Sequence, residues 1–208
     1  LLYVDALTQV YNRRFYEELM KNSKKTAGVA MLDIDDFKLY NDVYGHDVGD
    51  SAIRTVARVA KECLKSSDYI IRYGGDEFVL VLPDISAAEF ASTLKQICNK
   101  VHESIIGGYQ HLTLSVSIGG VLLQDETVAE ALQRADKLMY HAKLRKNIVI
   151  TESTPHESGI LNNEKKKNVL IVDDSEMNRF LLKEILKEEY NIIEAENGLE
   201  AMNIMREE

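Results

Sequence analysis

Three features of the sequence predict a mixed α/β (α+β) chain built in two parts. The run AGVAMLDID, residues 27–35, is apolar until it ends in acids, the pattern of a buried strand that stops at a sheet edge. DYIIRY and EFVLVLP, residues 68–73 and 77–83, are strand-like runs separated by a Gly-Gly turn, which signals a hairpin. Beyond a polar stretch, residues 168–208 alternate strand, helix, strand, helix, and that order implies a parallel sheet.

In chain order, Leu7, Tyr11, Phe15 and Leu19 recur at i, i+4 and predict a helix through LTQVYNRRFYEEL, started by Asp5 or Thr8. The buried strand of residues 27–35 follows. Over residues 47–65 a helix is expected, with Ile53, Val56, Ala57 and Ala60 on one face. The hairpin comes next, then a helix over residues 86–103 with Ser86 as its N-cap. LTLSVSIGGVLL, residues 112–123, reads as one strand in which Thr113, Ser115 and Ser117 alternate with apolar neighbours. An amphipathic helix over residues 128–146 and a short strand, NIVIT, close a first domain of residues 1–151. Residues 152–167 carry Pro155, Gly159 and a lysine run and read as a linker. Residues 168–208 are short for an independent domain, since small chains bury too little surface, so they read as a domain cut off. A first residue of Leu rather than Met gives the same reading of a fragment.

Composition narrows the function. The chain is 45% hydrophobic and 28% charged, ordinary for a globular protein. A net charge of −9 argues against nucleic-acid binding, and an anionic substrate would need a local cation or a metal. Cys63 and Cys98 lie within helical patterns and read as reduced thiols. No apolar run reaches the roughly 18 residues of a membrane span, and no signal peptide opens the chain, so a cytoplasmic protein is expected.

The chemistry concentrates around two acidic places in the first domain. Asp33 and Asp35 end the buried strand, and Asp76 and Glu77 sit at the hairpin turn. If the hairpin pairs beside that strand, Asp33 and Asp76 converge, and converging carboxylates need a positive partner. Mg²⁺ suits them, because it takes one or two carboxylates and completes its shell with water and phosphate oxygens. Gly74 and Gly75, without Cβ atoms, would let a nucleotide lie against the backbone and would tolerate positive φ. Lys38 offers a cation for phosphates, and Asn41 and Asp50 offer an amide and a carboxylate for the edge of a guanine. Each also has a plainer reading: Asn41 in a helix-end turn, Asp50 as a helix cap.

DALTQVYNRR, DIDDFKLYNDVYGHDVGD, RYGGDEF and ADKLMYHAK together resemble the GGDEF-domain family of diguanylate cyclases, in order and spacing, over about residues 1–150. The resemblance implies a fold like the palm of nucleotidyl cyclases and polymerases, an antiparallel sheet flanked by helices. It implies condensation of two GTP into cyclic di-GMP with release of two pyrophosphates, in second-messenger signalling. By matching position, Asp33, Asp76 and the carbonyl of Ile34 would hold Mg²⁺ or Mn²⁺. Glu77 would assist the metal or the ribose hydroxyl, Asn41 and Asp50 would read guanine, and Lys38 and Lys143 would bind phosphates. Each domain would hold one GTP, so catalysis would require a homodimer. The chain departs from the family in three places, the first being Asp76 where some members have Glu, though both acids can ligate metal. AKLRKNIV runs one residue short after Lys143, so Arg145 or Lys146 would replace a phosphate-binding arginine. The product-inhibition motif Arg-x-x-Asp reads KSSD here, Lys65 to Asp68, and lysine cannot form arginine's bidentate fork, so that site reads as degenerate. The alternative function is a catalytically silent GGDEF module that senses nucleotide or binds a partner.

In the second part, Asp173 and Asp174 end a strand expected to be parallel, where open α/β sheets bind ligands. They read as an acidic metal pair, or as helix capping by Asp174 or Ser175. With AENGLEAM downstream, the segment resembles the start of a response-regulator receiver, flavodoxin-like in fold, without the third strand that carries the phospho-accepting Asp. A histidine kinase acting on a complete receiver is the partner this implies.

Overall fold

The computed structural model describes residues 2–106, 109–152, 168–186 and 190–207, so most of the expected linker lies outside the described residues. The chain divides into two compact units, Leu1–Thr154 and Pro155–Glu208.

The first unit is built on a six-stranded sheet. Its strands are β1 (Tyr11–Asn12), β2 (Ala27–Ile34), β3 (Tyr69–Arg72), β4 (Glu77–Pro83), β7 (Val116–Leu122) and β8 (Val149–Thr151), in the order β1-β3-β4-β2-β7-β8. The centre is antiparallel: β4 and β7 flank β2, and β3 pairs with β4. The outer strands β1 and β8 add in parallel. A short hairpin, β5 (Ile105–Ile106) and β6 (Tyr109–Thr113), stands apart.

All eight residues of β2 are buried, because both faces of the sheet are covered. Alternation along a strand then sorts its side chains into two cores. Ala30, Leu32 and Ile34, with Phe78, Leu80 and Ile118, pack with α3 (His46–Cys63) and α4 (Ala87–His102). Val29 and Met31, with Val79, Val81 and Val121, pack with α5 (Val128–Lys143) and with Phe15 and Tyr16. By the same parity Asp33 belongs to the α5 face. Two adjacent glycines of β7 fix how closely the helices approach. A Cβ on Gly119 would lie 2.1 Å from the carbonyl oxygen of Ala135 and 2.2 Å from the amide of Met139, so α5 rests on the strand backbone itself. Gly120 faces the other way, and a Cβ there would lie 2.6 Å from Leu94 and 3.0 Å from the Phe90 ring.

The predicted helix over residues 7–19 holds only in its second half, from Arg13 on. Asp5 accepts from the Thr8 amide and hydroxyl, closing a turn instead of starting a helix, and Gln9 adopts φ 59°. The chain then pairs as β1, and Asn12 caps the real start: its side chain accepts from the Phe15 amide at 3.1 Å. The helix α1 is only Arg13–Phe15, continued by a π-type turn at Tyr16–Met20. The expected strand over residues 112–123 breaks at Leu114 and Ser115 into the end of β6 and all of β7. The helix α2 (Phe37–Tyr44) is additional; Phe37 and Tyr40 pack against the core without being fully buried, and eight residues are too few for the helical period to stand out in the sequence. Gly45, at φ 86°, ends α2 and opens α3 in a conformation glycine reaches without a Cβ clash. Asp50 lies inside α3 and is not its cap. Ser86 does cap α4, accepting from the Glu89 amide.

In the second unit, β9 (Asn168–Val172) and β10 (Asn191–Ala195) pair in parallel, with α6 (Glu176–Leu186) between them and α7 (Gly198–Glu207) after them. Ser175 caps α6, accepting from the Asn178 amide. Asp173 accepts from the Ser175 amide and the Asn178 side chain, while Asp174 is exposed. Arg179, buried, donates to the Asp173 carbonyl and lies near Glu194 and Glu196, tying α6 to the ends of both strands.

Candidate functional site

The site forms where β2 ends. Its central carboxylate is Asp33, only 3% exposed, which sits across from Glu77 on β4 and from Ser117 on β7. The hairpin is closed by Tyr73 and Gly74 amides donating to the Glu77 carbonyl, and the Ile34 amide donates to the Asp76 carbonyl at 3.3 Å. The hairpin therefore pairs beside β2 as the sequence implies, and both turn acids lie close enough for their charges to act on Asp33. Burial pushes the Asp33 carboxyl up to about 6, with Asp76 and Glu77 adding to the rise and Lys143 opposing it. Lys143, at the end of α5, places its Nζ 2.8 Å from Asp33 Oδ2. Burial works against the Lys143 charge, but its bond and attraction to Asp33, with Asp76 and Glu77 behind it, hold its pKa above the usual value. At neutral pH the pair is an ion pair.

The glycines of the turn work differently from expectation. Neither has positive φ; Gly45 is the one glycine that does among the described residues. Gly74 leaves room for the Glu77 side chain: a Cβ would lie 2.4 Å from Glu77 Oε2, which would have to swing aside. Gly75 faces open space, with nothing within 4 Å of its would-be Cβ. Arg72 fastens the turn from behind: Nε and an Nη donate to the Gly75 carbonyl at 3.2 and 2.8 Å, while the other Nη meets Asp5.

Two acids that follow Asp33 do structural work. Asp35, 5% exposed, accepts from Ser115 Oγ and Ser117 Oγ at 2.7 Å and from the Asn147 amide at 2.9 Å. Asp36, at φ 53°, accepts two bonds from Lys146 at 2.9 and 2.7 Å. Three acids, Asp33, Asp35 and Asp36, thus grip Lys143, Asn147 and Lys146 and hold the turn after α5 against the end of β2. Sequence reasoning missed this clamp. Its available signals were the Asp-x-Asp spacing, which puts both side chains on one face, and the alternating Ser115 and Ser117. Of the two replacements considered for a phosphate-binding arginine, Lys146 is occupied by Asp36, and Arg145 is exposed with no ion pair among the described residues.

At the α2–α3 corner the Asn41 side chain lies against Gly49, the residue before Asp50: a Cβ there would lie 2.0 Å from Asn41 Oδ1. Asp50, half-exposed, lies 3.9 Å from Arg54. Lys38 is exposed on α2. Lys65 and Asp68 lie elsewhere. Lys65 Nζ binds Glu89 at 2.6 Å, and Asp68 accepts the Lys65 amide at 2.8 Å. A cavity of about 320 Å³ beside them is lined by Tyr11, Lys61 and Leu64 among others, and by none of Asp33, Asp76, Glu77 or Lys143.

Among the described residues no three His, Cys, Asp or Glu side chains gather as a metal cage. Two carboxylates and a backbone carbonyl suit Mg²⁺, which keeps water and takes phosphate oxygens, rather than a metal that needs a full protein shell. No helix among the described residues is long and apolar enough to cross a membrane.

The family model for the diguanylate cyclase GGDEF domain matches residues 2–147. The chain belongs to the GGDEF family. Its GGDEF domain is similar to diguanylate cyclase DosC of Escherichia coli K12, 36% identical over 152 residues, which are 68% of this chain and 33% of DosC. It is also 32% identical over 155 residues to the response regulator PleD of Caulobacter vibrioides, covering 69% of this chain and 34% of PleD. The chain thus spans about a third of these relatives' length. Among solved structures, it is similar to the GGDEF domain of DgcB from Caulobacter crescentus in complex with c-di-GMP. The TM-score is 0.66 at 30% identity, covering 72% of this chain and 95% of that one. The mixed fold with its helix-flanked sheet is the GGDEF fold.

Proposed function

We propose that this GGDEF domain is a working diguanylate cyclase that joins two GTP molecules into cyclic di-GMP and releases two pyrophosphates. The observation that carries the reading is the meeting of Asp33, the Asp76–Glu77 turn and Lys143 at one end of the sheet, with Gly75 open beside them. Asp33, Asp76 and the Ile34 carbonyl would hold Mg²⁺ or Mn²⁺. When bound, the metal supplies positive charge to the attacking and leaving oxygens of an in-line displacement. Asn41 and Asp50 read the guanine edge, with Asp50 accepting from base N–H groups. Lys38, Lys143 and Arg145 neutralise phosphates in a chain whose net charge is −9. Glu77 accepts or orients the proton of the ribose 3′-hydroxyl. One domain holds one nucleotide, so two copies face each other in a cytoplasmic homodimer.

The second unit, with Asp173 and Asp174 at the end of β9, is read as the start of a receiver through which a histidine kinase would control that dimer. A silent nucleotide-sensing module is the second reading, favoured by the shortened turn after Lys143, in which Lys146 is bound by Asp36.

Incubating the purified chain with GTP and Mg²⁺ separates the two: cyclic di-GMP appears if the first holds, and unreacted GTP remains if the second does. Activity per molecule should rise with protein concentration, as dimer formation by mass action requires.

A further inference from the structure

Asp33 is almost fully buried, while the Lys143 side chain that reaches it is 41% exposed. A buried carboxylate is costly unless a cation or hydrogen bonds compensate it. Asp33 obtains that compensation from a lysine at the end of a helix, on four flexible carbons, which makes no second ion pair among the described residues. The neighbouring cation differs. Lys146 is held on both oxygens of the exposed Asp36, away from Asp33. Among the described residues, Lys143 is therefore the cation that neutralises the carboxylate at the sheet end.

We infer that the Lys143 ammonium serves as a built-in placeholder for the divalent cation, so that the metal reaches Asp33 only as Lys143 leaves it. The inference rests on the reading of Asp33 as a metal ligand. An ammonium at 2.8 Å from Oδ2 and a divalent cation on the same carboxylate repel strongly at such separations. The exchange also has a direction. On leaving Asp33, the half-exposed Lys143 side chain is free to meet a nucleotide's phosphates, so nucleotide draws off the cation that blocks the metal. Before nucleotide arrives, the placeholder keeps the three acids Asp33, Asp76 and Glu77 from repelling one another and keeps stray divalent cations out.

The test is Mn²⁺ binding to the nucleotide-free full chain, followed by loss of the free Mn²⁺ electron paramagnetic resonance signal. Lys143→Met and Lys143→Gln should each bind Mn²⁺ at least about tenfold more tightly than the parent, given the size of a unit charge at this range. Adding Asp33→Asn to either should remove the gain. Lys146→Gln, which deletes a nearby positive charge that Asp33 does not use, should change affinity by less than about twofold. Unchanged or weaker Mn²⁺ binding in both Lys143 variants would overturn the inference, as would an equal gain from Lys146→Gln. Because the readout is metal binding and not turnover, a chain that makes no cyclic di-GMP can still support the placeholder, and an active chain can still refute it.

Discussion

The Asp35 carboxylate and the Asn147 amide, 112 positions apart in the chain, are joined by a 2.9 Å hydrogen bond. Two serine hydroxyls complete the shell of Asp35, and one of them, Ser117, is fully buried. Removing Asp35 would strand several donors at once, and each unsatisfied buried group costs about 1–3 kcal/mol. Asp35→Ala should therefore lose about 3–5 kcal/mol in urea unfolding, whereas Asp35→Asn, which keeps one acceptor, should lose less. A midpoint unchanged in Asp35→Ala would contradict the clamp.

Gly119 sets the height of α5 above the sheet, and so the reach of Lys143. In Gly119→Ala the new methyl meets helix backbone, which cannot rotate away. Overpacking of this kind costs about 1–3 kcal/mol or more. Thermal melting should show the loss. Gly75→Ala, at a position facing open space, should melt close to the parent.

Asp5 ties the N-terminal turn to Arg72, which in turn fastens the Gly75 carbonyl. Burial opposes the Asp5 charge, but the Thr8 bonds and Arg72 together hold its pKa below the usual 3.8. A carboxyl depressed in the folded state stabilises above its unfolded pKa and loses that contribution as pH falls through the folded value. Asp5→Asn should thus cost about 1–2 kcal/mol at pH 7, as charged hydrogen bonds do. The gap to the parent should shrink below pH 4. A gap that is constant from pH 7 to pH 3 would show that the charge does not matter.

Asp76→Ala should abolish cyclic di-GMP formation, because one of the two carboxylates proposed to hold the metal would be gone. Asp50→Ala should weaken GTP binding roughly ten- to hundredfold and ATP binding far less, since a site built for base N–H groups discriminates against the base that lacks them. Equal losses for both nucleotides, measured by calorimetry, would remove Asp50 from guanine recognition.

Product inhibition should be weak. Lys65 is paired with Glu89, and Asp68 closes its own turn, so both groups are already engaged. Calorimetric titration with cyclic di-GMP should find affinity at this site roughly ten- to hundredfold below that of a bidentate arginine contact. Sub-micromolar binding that disappears in Lys65→Ala would show a functional site.

The sequence by itself determined the elements whose burial pattern is strong. A short apolar run that ends in acids reads as a covered strand, so β2 and the acids at its end were readable, as were α3, the β3–β4 hairpin, and α4 with its Ser86 cap. It also named the candidate site residues, because Asp33, Gly74, Gly75, Asp76, Asn41 and Asp50 stand in a recognisable order. Tertiary structure decided what has no local signal. The apolar spacing of Leu7 to Leu19 favours a helix, yet pairing of Tyr11 and Asn12 with β3 and the Asp5 turn win over it. Glycine at the hairpin suggests positive φ, but neither Gly74 nor Gly75 adopts it, and the Gly74 Cβ position is instead filled by the Glu77 carboxylate. Above all, the partners of Asp33, Asp35 and Asp36 come from residues about 110 positions later, and only packing of α5 onto Gly119 brings them within hydrogen-bond reach, where a buried carboxylate must find its donors.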